Sequence, residues 1–282
     1  MNILSTIGVI VIVVLLVWVS CWVQRWLYGH SLKTVLSTHD NTAVGIAVAG
    51  YFFSVIWTLT VLGSSPGRGA GWLWDMLDML LYGVLSIALL IGVTLGSCRF
   101  FLGLHVHQEL VERHNIAAAI VVAGSYVATS LTYSGALSGE GGSLWTLLLF
   151  FVLGQLALFG ITHGFRWLTS YDDVQEIAAG NMAAAFALAG LLIAVGLIVS
   201  WAVSGTYTGF FQSLGSFVLS LLDVLALYLV RQVVVEYVVL GGAIRWRGSM
   251  LDSEIAQDKN VAAGLLEATA YVSAALFVTA IV

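Results

Sequence analysis

The sequence predicts an all-α polytopic membrane protein with eight transmembrane helices, arranged as four two-helix repeats. Hydrophobic residues make up 60% of the 282 residues and charged residues only 9%, and the mean hydropathy is +1.00. A water-soluble globule needs far more charge on its surface. Eight apolar stretches are each long enough, at ~20 residues, to cross a hydrocarbon core as a helix. A short motif that recurs four times divides these stretches into pairs.

The repeated motif begins with an arginine at the end of one apolar stretch and reaches an asparagine 15 or 16 residues later. The arginines are Arg25, Arg99, Arg166 and Arg245, and the asparagines are Asn41, Asn115, Asn181 and Asn260. Small residues follow each asparagine at positions +2, +4 and +8. Because positions 0, +4 and +8 share one helix face, they predict a seam for close helix packing. The asparagines either cap helices or form a ring of four amides around a cytoplasmic vestibule.

The eight spans follow one another in a regular order. The first covers Ile3 to Val23, and because no basic residue precedes it we expect it to be retained, not cleaved as a signal. The other predicted spans are Asn41 to Leu62, Asp75 to Arg99, Asn115 to Leu137, Leu144 to Phe165, Asn181 to Val203, Phe217 to Ile244 and Asn260 to Val282. Residues 1–140 and 141–282 then form two four-span units.

Between each arginine and its asparagine lies a polar segment, and we call these segments linkers 1 to 4. Their apolar residues recur at helical spacing, as Leu251 and Ile255 do in linker 4, which is typical of a short amphipathic helix at a membrane interface. In linker 3, Ser170 and Asp173 fit a capping box.

The basic residues predict the orientation of the chain. Eight of the ten lysines and arginines fall on the linker side, namely Arg25, Lys33, Arg99, Arg113, Arg166, Arg245, Arg247 and Lys259. The positive-inside rule therefore places the four linkers in the cytoplasm and both termini outside. No basic cluster indicates binding to nucleic acid.

The segments HDNTAVGIAVAG, RHNIAAAIVVAG, GNMAAAFALAG and KNVAAGLLEAT resemble the N-x-A-A-A/G segments of a bacterial inner-membrane family. This family is catalogued as domain of unknown function 350 and is also called YjfL-like. Its usual member has about half this length, with four spans, so the chain resembles two members in tandem. The resemblance implies a location in the bacterial inner membrane and suggests a link to membrane stress, but it implies no assigned activity.

Four charged residues lie within the predicted spans of the last repeat: Asp223, which we expect near the outer surface, and Arg231, Glu236 and Glu267, which lie deeper. The other repeats carry Val11, Leu85 and Val152 at the place of Arg231, and Val48, Val122 and Leu188 at the place of Glu267. Because a charge inside the bilayer costs ~3 kcal/mol or more, such groups pair or line a wet cavity. We therefore predict that Arg231 pairs with Glu236 or Glu267. The pair is either a static clamp or a polar site on a permeation or proton path.

Other candidate chemistry is weak. The histidines and the glutamate of linkers 1 and 2 have poor spacing for a metal site; they are His30, His39, His105, His107, Glu109 and His114. No P-loop, HExxH, G-x-S-x-G or channel-filter motif occurs, so we expect no enzymatic activity, metal or cofactor.

Two functions stay open on the sequence alone. The first is translocation of a small ion or solute through the helix bundle, with Arg231, Glu236 and Glu267 as its polar site. The second is a membrane-embedded scaffold or membrane-stress sensor that docks a cytoplasmic protein partner through its linkers. Apart from that partner, the predicted environment is the lipid bilayer, and the sequence does not specify an oligomeric state.

Overall fold

The computed structural model describes residues 3–29, 33–34, 40–64, 71–245 and 247–281. Within these residues all regular structure is helical, and eight helices are long and apolar enough to cross a membrane. The protein is thus an all-α, multi-pass membrane protein. The helices are α1 (Ile3–Tyr28), α2 (Thr42–Ser64), α3 (Trp72–Phe101), α4 (Ile116–Ser138), α5 (Leu144–Leu168), α6 (Asp173–Ala178), α7 (Met182–Val203), α8 (Phe210–Val239), α9 (Met250–Ala256) and α10 (Val261–Ile281).

The seventh span, α8, differs most from its prediction because it begins and ends earlier in the chain. It starts after Gly209 (φ 132°) and stops before Gly241 (φ 67°), two backbone conformations that glycine adopts at little cost. Its final part, Val230–Val239, is π-helical. Arg231 and Glu236 therefore lie in the last turns of α8, at its linker end, and not at the middle of a longer helix.

The helices that follow the four asparagines, α2, α4, α7 and α10, pack side by side in that order, and we call them the inner row. Small residues bring their backbones together. A Cβ atom built on Gly50 of α2 would lie 2.6 Å from the Cα atom of Ala123 on α4. The same atom on Gly124 would lie 2.8 Å from the Cβ atom of Ala189 on α7. Close approach at small residues is how helices associate without a hydrophobic driving force.

Three of the remaining long helices cover the junctions of the inner row, and α1 packs against α2 and α3. Helix α3 packs against α2 and α4, α5 against α4 and α7, and α8 against α7 and α10. In an 18-residue apolar window, 83% of the residues of α4 and 78% of those of α7 are buried, against 44% for α2 and 33% for α10. Over their described residues α2 and α10 do not pack together. The inner row is therefore open, with α2 and α10 at its ends.

Each described linker lies over one junction of the inner row. Linker 2 contains a single π-helical turn, Gln108–Glu112, against α2 and α4. Helix α6 of linker 3 contacts α4 and α7, and α9 of linker 4 contacts α7 and α10. Each of these linkers has apolar residues that are fully buried against the protein: Leu110, Ile177, Leu251 and Ile255. Most of linker 1, including His30 and His39, lies outside the described residues.

The capping box predicted for linker 3 is wrong in its residues. Asp172 caps α6, and its carboxylate accepts hydrogen bonds from the backbone N–H groups of Val174 (2.9 Å) and Gln175 (3.4 Å). Asp173 is instead turned toward Arg166. A capping box does occur at the start of α9, between Ser249 and Asp252.

Candidate functional site

Each asparagine of the repeated motif caps the inner-row helix that follows it. Its Oδ1 atom accepts a backbone N–H two or three residues later: Val44 for Asn41 (3.1 Å), Ala118 for Asn115 (3.1 Å), Ala183 for Asn181 (3.0 Å) and Ala262 for Asn260 (3.0 Å). These bonds satisfy amides that the first helical turn leaves without partners. The structure thus gives the asparagines a capping role.

The same asparagines also join each repeat to the next. The Nδ2 atom donates to a backbone carbonyl of the following linker: Asn41 to Leu110 (2.9 Å), Asn115 to Ile177 (3.0 Å) and Asn181 to Ile255 (2.8 Å). The Nδ2 atom of Asn260 donates to Glu254 of its own linker (2.9 Å). Over the described residues the four amides therefore form an open series along the row.

Arg231 is the centre of a buried group of charges that we call the ionic cluster, formed with Asp252 and Glu267. The Nε atom of Arg231 lies 2.5 Å from Oε1 of Glu267, and one of its terminal nitrogens lies 2.6 Å from Oδ1 of Asp252. The side chains of all three residues are at most 4% exposed. The cluster joins α8, α9 and α10, so it ties linker 4 to two membrane-spanning helices.

Asp252 is saturated with hydrogen-bond donors. Its Oδ2 atom accepts the backbone N–H groups of Ser170 (3.1 Å), Gly248 (3.2 Å) and Ser249 (3.3 Å), while Oδ1 accepts Arg231. The bond from Ser170 connects linker 4 to linker 3. A carboxylate with four donors is held in one position and has little capacity left for a mobile ion.

Glu236 does not pair with Arg231, although the sequence allowed that pairing. Its two carboxylate oxygens accept the backbone N–H groups of Met250 (2.8 Å) and Leu251 (3.1 Å), at the start of α9. A carboxylate at a helix N-terminus satisfies free amides and opposes the positive end of the helix dipole. Glu236 is therefore a second anchor for linker 4.

Glu267 keeps one unused acceptor. Its Oε1 atom accepts both Arg231 and the Tyr271 hydroxyl (2.9 Å), but the buried Oε2 atom has no hydrogen-bond partner. The ionic cluster as a whole carries one cation and two carboxylates. Its geometry is that of a clamp whose members bind one another.

The four motif arginines do not share one role. Arg166 donates to Asp173 (3.1 Å) and to the carbonyl of Phe101 (3.4 Å), so it holds linker 3. Arg99 lies 3.3 Å from the His105 ring. Arg25 and Arg245 are exposed. What the arginines have in common is their place at the linker end of the bundle.

Asp173 is a buried carboxyl in linker 3, outside the membrane-spanning helices. Burial raises its pKa from 3.8 to about 7, and the neighbouring Arg166 guanidinium offsets only part of that rise. The exposed fraction of its side chain is 5%. This carboxyl therefore changes its charge near neutral pH.

In linker 2, Glu109 is engaged by its own segment. It accepts hydrogen bonds from Arg113 (2.7 Å) and Asn115 (2.9 Å). His105, His107 and His114 are exposed at the surface. The linker thus uses its acidic group to position the asparagine that caps α4.

A cavity of about 630 Å³ opens at the end of the bundle opposite the linkers. Its described lining includes three carboxylates, Asp75, Asp78 and Glu140, and no lysine, arginine or histidine. Tyr82 and Tyr207 also line it. The charge and size suit a small cationic solute.

Sequence reasoning missed Asp252 and this cavity. One signal for Asp252 was present, because it follows Arg245 by seven residues, as Asp173 follows Arg166. The cavity had no comparable signal, since its carboxylates come from α3 and from the turn between α4 and α5.

Comparison with known proteins identifies the family of both halves. The family model described as Domain of Unknown Function (DUF350) matches residues 1–137 and again residues 140–282. No curated protein and no solved structure matches the chain.

Proposed function

The chain belongs to the DUF350 family as two copies in tandem, and from this premise we propose that it is a membrane-embedded scaffold whose linkers dock a cytoplasmic protein partner. The observation that carries the proposal is the series of hydrogen bonds from each asparagine to the next linker. Because these bonds join linkers 2, 3 and 4 to successive inner-row helices, they support one continuous surface at this end of the bundle. We call it the linker platform.

The linker platform exposes polar groups of both charges. Exposed polar residues include Glu112 and Arg113 of linker 2, Gln175 of linker 3, and Gln257 and Asp258 of linker 4. Four apolar residues of the same linkers are buried beneath them, while Phe100, Trp167 and Met250 are exposed. Exposed polar groups of mixed charge favour specific recognition of a protein.

The buried charges support the scaffold and not a transport path. Arg231 and Asp252 bind each other and Glu236 caps α9, so these groups hold linker 4 in place. The inner-row helices are in close contact at their glycines and alanines. Substitutions that remove the ionic cluster are therefore expected to disturb the linker platform directly.

Site-specific photo-crosslinking in native membranes tests the docking proposal. A photoreactive amino acid is placed at Gln175 or Gln257 on the linker platform, and at Glu140 at the opposite end as the matched control; all three positions are exposed. We expect a discrete adduct of higher mass from the platform positions alone. Adducts at neither platform position, or equally at Glu140, would contradict docking. Repeating the experiment after osmotic shock tests the membrane-stress form of the proposal.

We propose that the linker platform faces the cytoplasm of a bacterial inner membrane and that both termini lie outside. The bias of basic residues toward the linkers supports this orientation. In a variant without Cys21 and Cys98, a membrane-impermeant thiol reagent should label Glu140→Cys and not Gln257→Cys in intact cells. The reverse labelling pattern would show that the chain has the opposite orientation.

The acidic cavity favours a second candidate function, the translocation of a small cation or cationic solute. Its three carboxylates lie at the end opposite the linkers, where a solute would enter. The test is cation and proton flux in proteoliposomes, comparing the wild type with Asp78→Asn, Glu140→Gln and Glu267→Gln. Flux that the cavity variants abolish would support translocation. The absence of flux for several cations and pH gradients would leave the scaffold.

A further inference from the structure

The contact between successive inner-row helices repeats with the same residues. A glycine nine positions after the asparagine meets an alanine eight positions after the next asparagine. The three pairs are Gly50 with Ala123, Gly124 with Ala189, and Gly190 with Ala268. The hydrogen bond from asparagine to the following linker accompanies each pair. One interface is thus used three times in one chain.

The middle interface joins the two copies of the family domain. Gly124 lies in residues 1–137 and Ala189 lies in residues 140–282. The interface between copies therefore matches the interface within each copy. Its formation depends on the complementary faces of two inner-row helices, and not on which family copy supplies them.

Among the described residues, half of this interface has no partner at each end of the inner row. On α10, Ala262 stands at the place of Ala183 in α7, and Thr269 stands at the place of Gly190. Both residues are exposed. On α2, the complementary positions are Gly45, which is half-buried, and Ala49, which is exposed. At the equivalent place in the last junction, Gly264 of α10 contacts the backbone of Ala183. The two ends of the row therefore present opposite halves of one contact.

The hydrogen bonds of Asn260 also indicate that the contact is incomplete at the α10 end of the row. The Nδ2 atoms of Asn115 and Asn181 each donate two hydrogen bonds, one to a glutamate of their own linker and one to the next linker. Asn260 makes only the first kind, to Glu254, and is exposed. Its second donor points to no described linker carbonyl. This is the donor that a following repeat would use.

We propose that copies of this chain associate head to tail, with α10 of one copy packed against α2 of the next. Such a contact joins two different faces, so it produces a ring if the rotation closes and a filament if it does not. Thr269 stands where the earlier helices have glycine, so the helices stand farther apart there than at Gly190. The association does not require the linker platform to bind a partner.

Cysteine cross-linking between two tagged copies tests this arrangement. In a background with Cys21→Ala and Cys98→Ala, one copy carries Ala49→Cys and the other carries Thr269→Cys. These positions match the glycine–alanine contact, and a disulfide spans Cα atoms up to ~6.8 Å apart, which allows for the wider separation at Thr269. With copper phenanthroline as oxidant, we expect a mixed dimer several-fold above the control, in which Val152→Cys on the lipid-facing side of α5 replaces Thr269→Cys.

Three outcomes would overturn the proposal. The first is a mixed pair that gives no more dimer than the Val152→Cys control. The second is cross-linking of the Ala49→Cys copy only with itself, which would indicate a symmetric contact of two α2 helices. The third is wild-type protein in nanodiscs with the mass of a single chain, which would mean that lipid covers both ends. If the proposal holds, the wild type is oligomeric and Ala262→Trp shifts it toward single chains.

Discussion

The two halves of the chain build the same inner row with different residues at the linker end. In the first half, Leu85, Leu90 and Val122 occupy the places of Arg231, Glu236 and Glu267 in the second half. Leu90 and Val122 are fully buried. The glycine–alanine contact occurs in both halves. Small residues therefore set the helix packing, and the charges are an addition in the last repeat.

The added charges lie around linker 4. Linker 3 lies between linker 2 and linker 4, and Asp252 accepts the backbone N–H of its Ser170. Asp252 also binds Arg231 of α8, and Glu236 accepts two backbone N–H groups at the start of α9. The added charges therefore connect linker 4 to its neighbours, whereas small residues set the helix packing.

The largest expected effect comes from breaking the packing that both halves share. In Gly190→Leu the new side chain meets the backbone of Ala268, which cannot move without displacing α10. Overpacking of this kind costs ~4 kcal/mol or more. We expect loss of folded protein by size-exclusion chromatography in detergent. Gly160→Leu, at an exposed glycine with open space, is the control and should behave as wild type.

The second largest effect is expected from removing charges that only the second half carries. Arg231→Leu leaves Asp252 and Glu267 buried without their cation, which costs ~3 to 5 kcal/mol. Adding Glu267→Val gives the residues that the first half carries, so the double variant should recover much of the lost thermal stability in detergent. A double variant that is less stable than Arg231→Leu would show that the second half needs the charge itself.

Much of the fold could be predicted because it depends on local patterns. Apolar length gave the eight spans, and the recurrence of asparagine with small residues gave the four repeats and their packing seam. The exception is α8, since glycine and π-helical backbone at its ends moved its limits. Apolar sequence alone does not determine where such a helix stops.

The site was less predictable, because it depends on which linker lies beside which helix. Arg231 and Glu267 were identifiable as charges in apolar surroundings, but Asp252 belongs to a polar linker where an aspartate is ordinary. Glu236 was one of two partners predicted for Arg231, but it binds the start of α9 and Glu267 takes the pairing. The open row, like the choice of Asp252, follows from tertiary contacts that periodicity does not report.

A moderate effect is expected from comparing an interior asparagine with the terminal one. Asn181→Ala removes a helix cap and the bond to Ile255, whereas Asn260→Ala removes a cap and a bond within its own linker. A lost cap costs ~1 kcal/mol, and a buried carbonyl without its donor adds ~1 to 3 kcal/mol. Asn181→Ala should therefore lower the thermal midpoint more. Equal decreases in the thermal midpoint would contradict the difference between the interior asparagine and the terminal one.

The smallest effect is the pH dependence of stability that Asp173 gives to linker 3, which does not contain the ionic cluster. The folded-state pKa of Asp173, about 7, is raised above 3.8 by burial. The folded protein therefore binds the extra proton, and this contribution to stability is complete below pH 4 and is lost as the pH rises through 7. In Asp173→Asn the loss disappears, so the difference in thermal midpoint between pH 5 and pH 8 should shrink. Asp172→Asn, which keeps a capping residue at an exposed site, is the control. If both variants keep the wild-type pH dependence, Asp173 does not titrate in the folded linker.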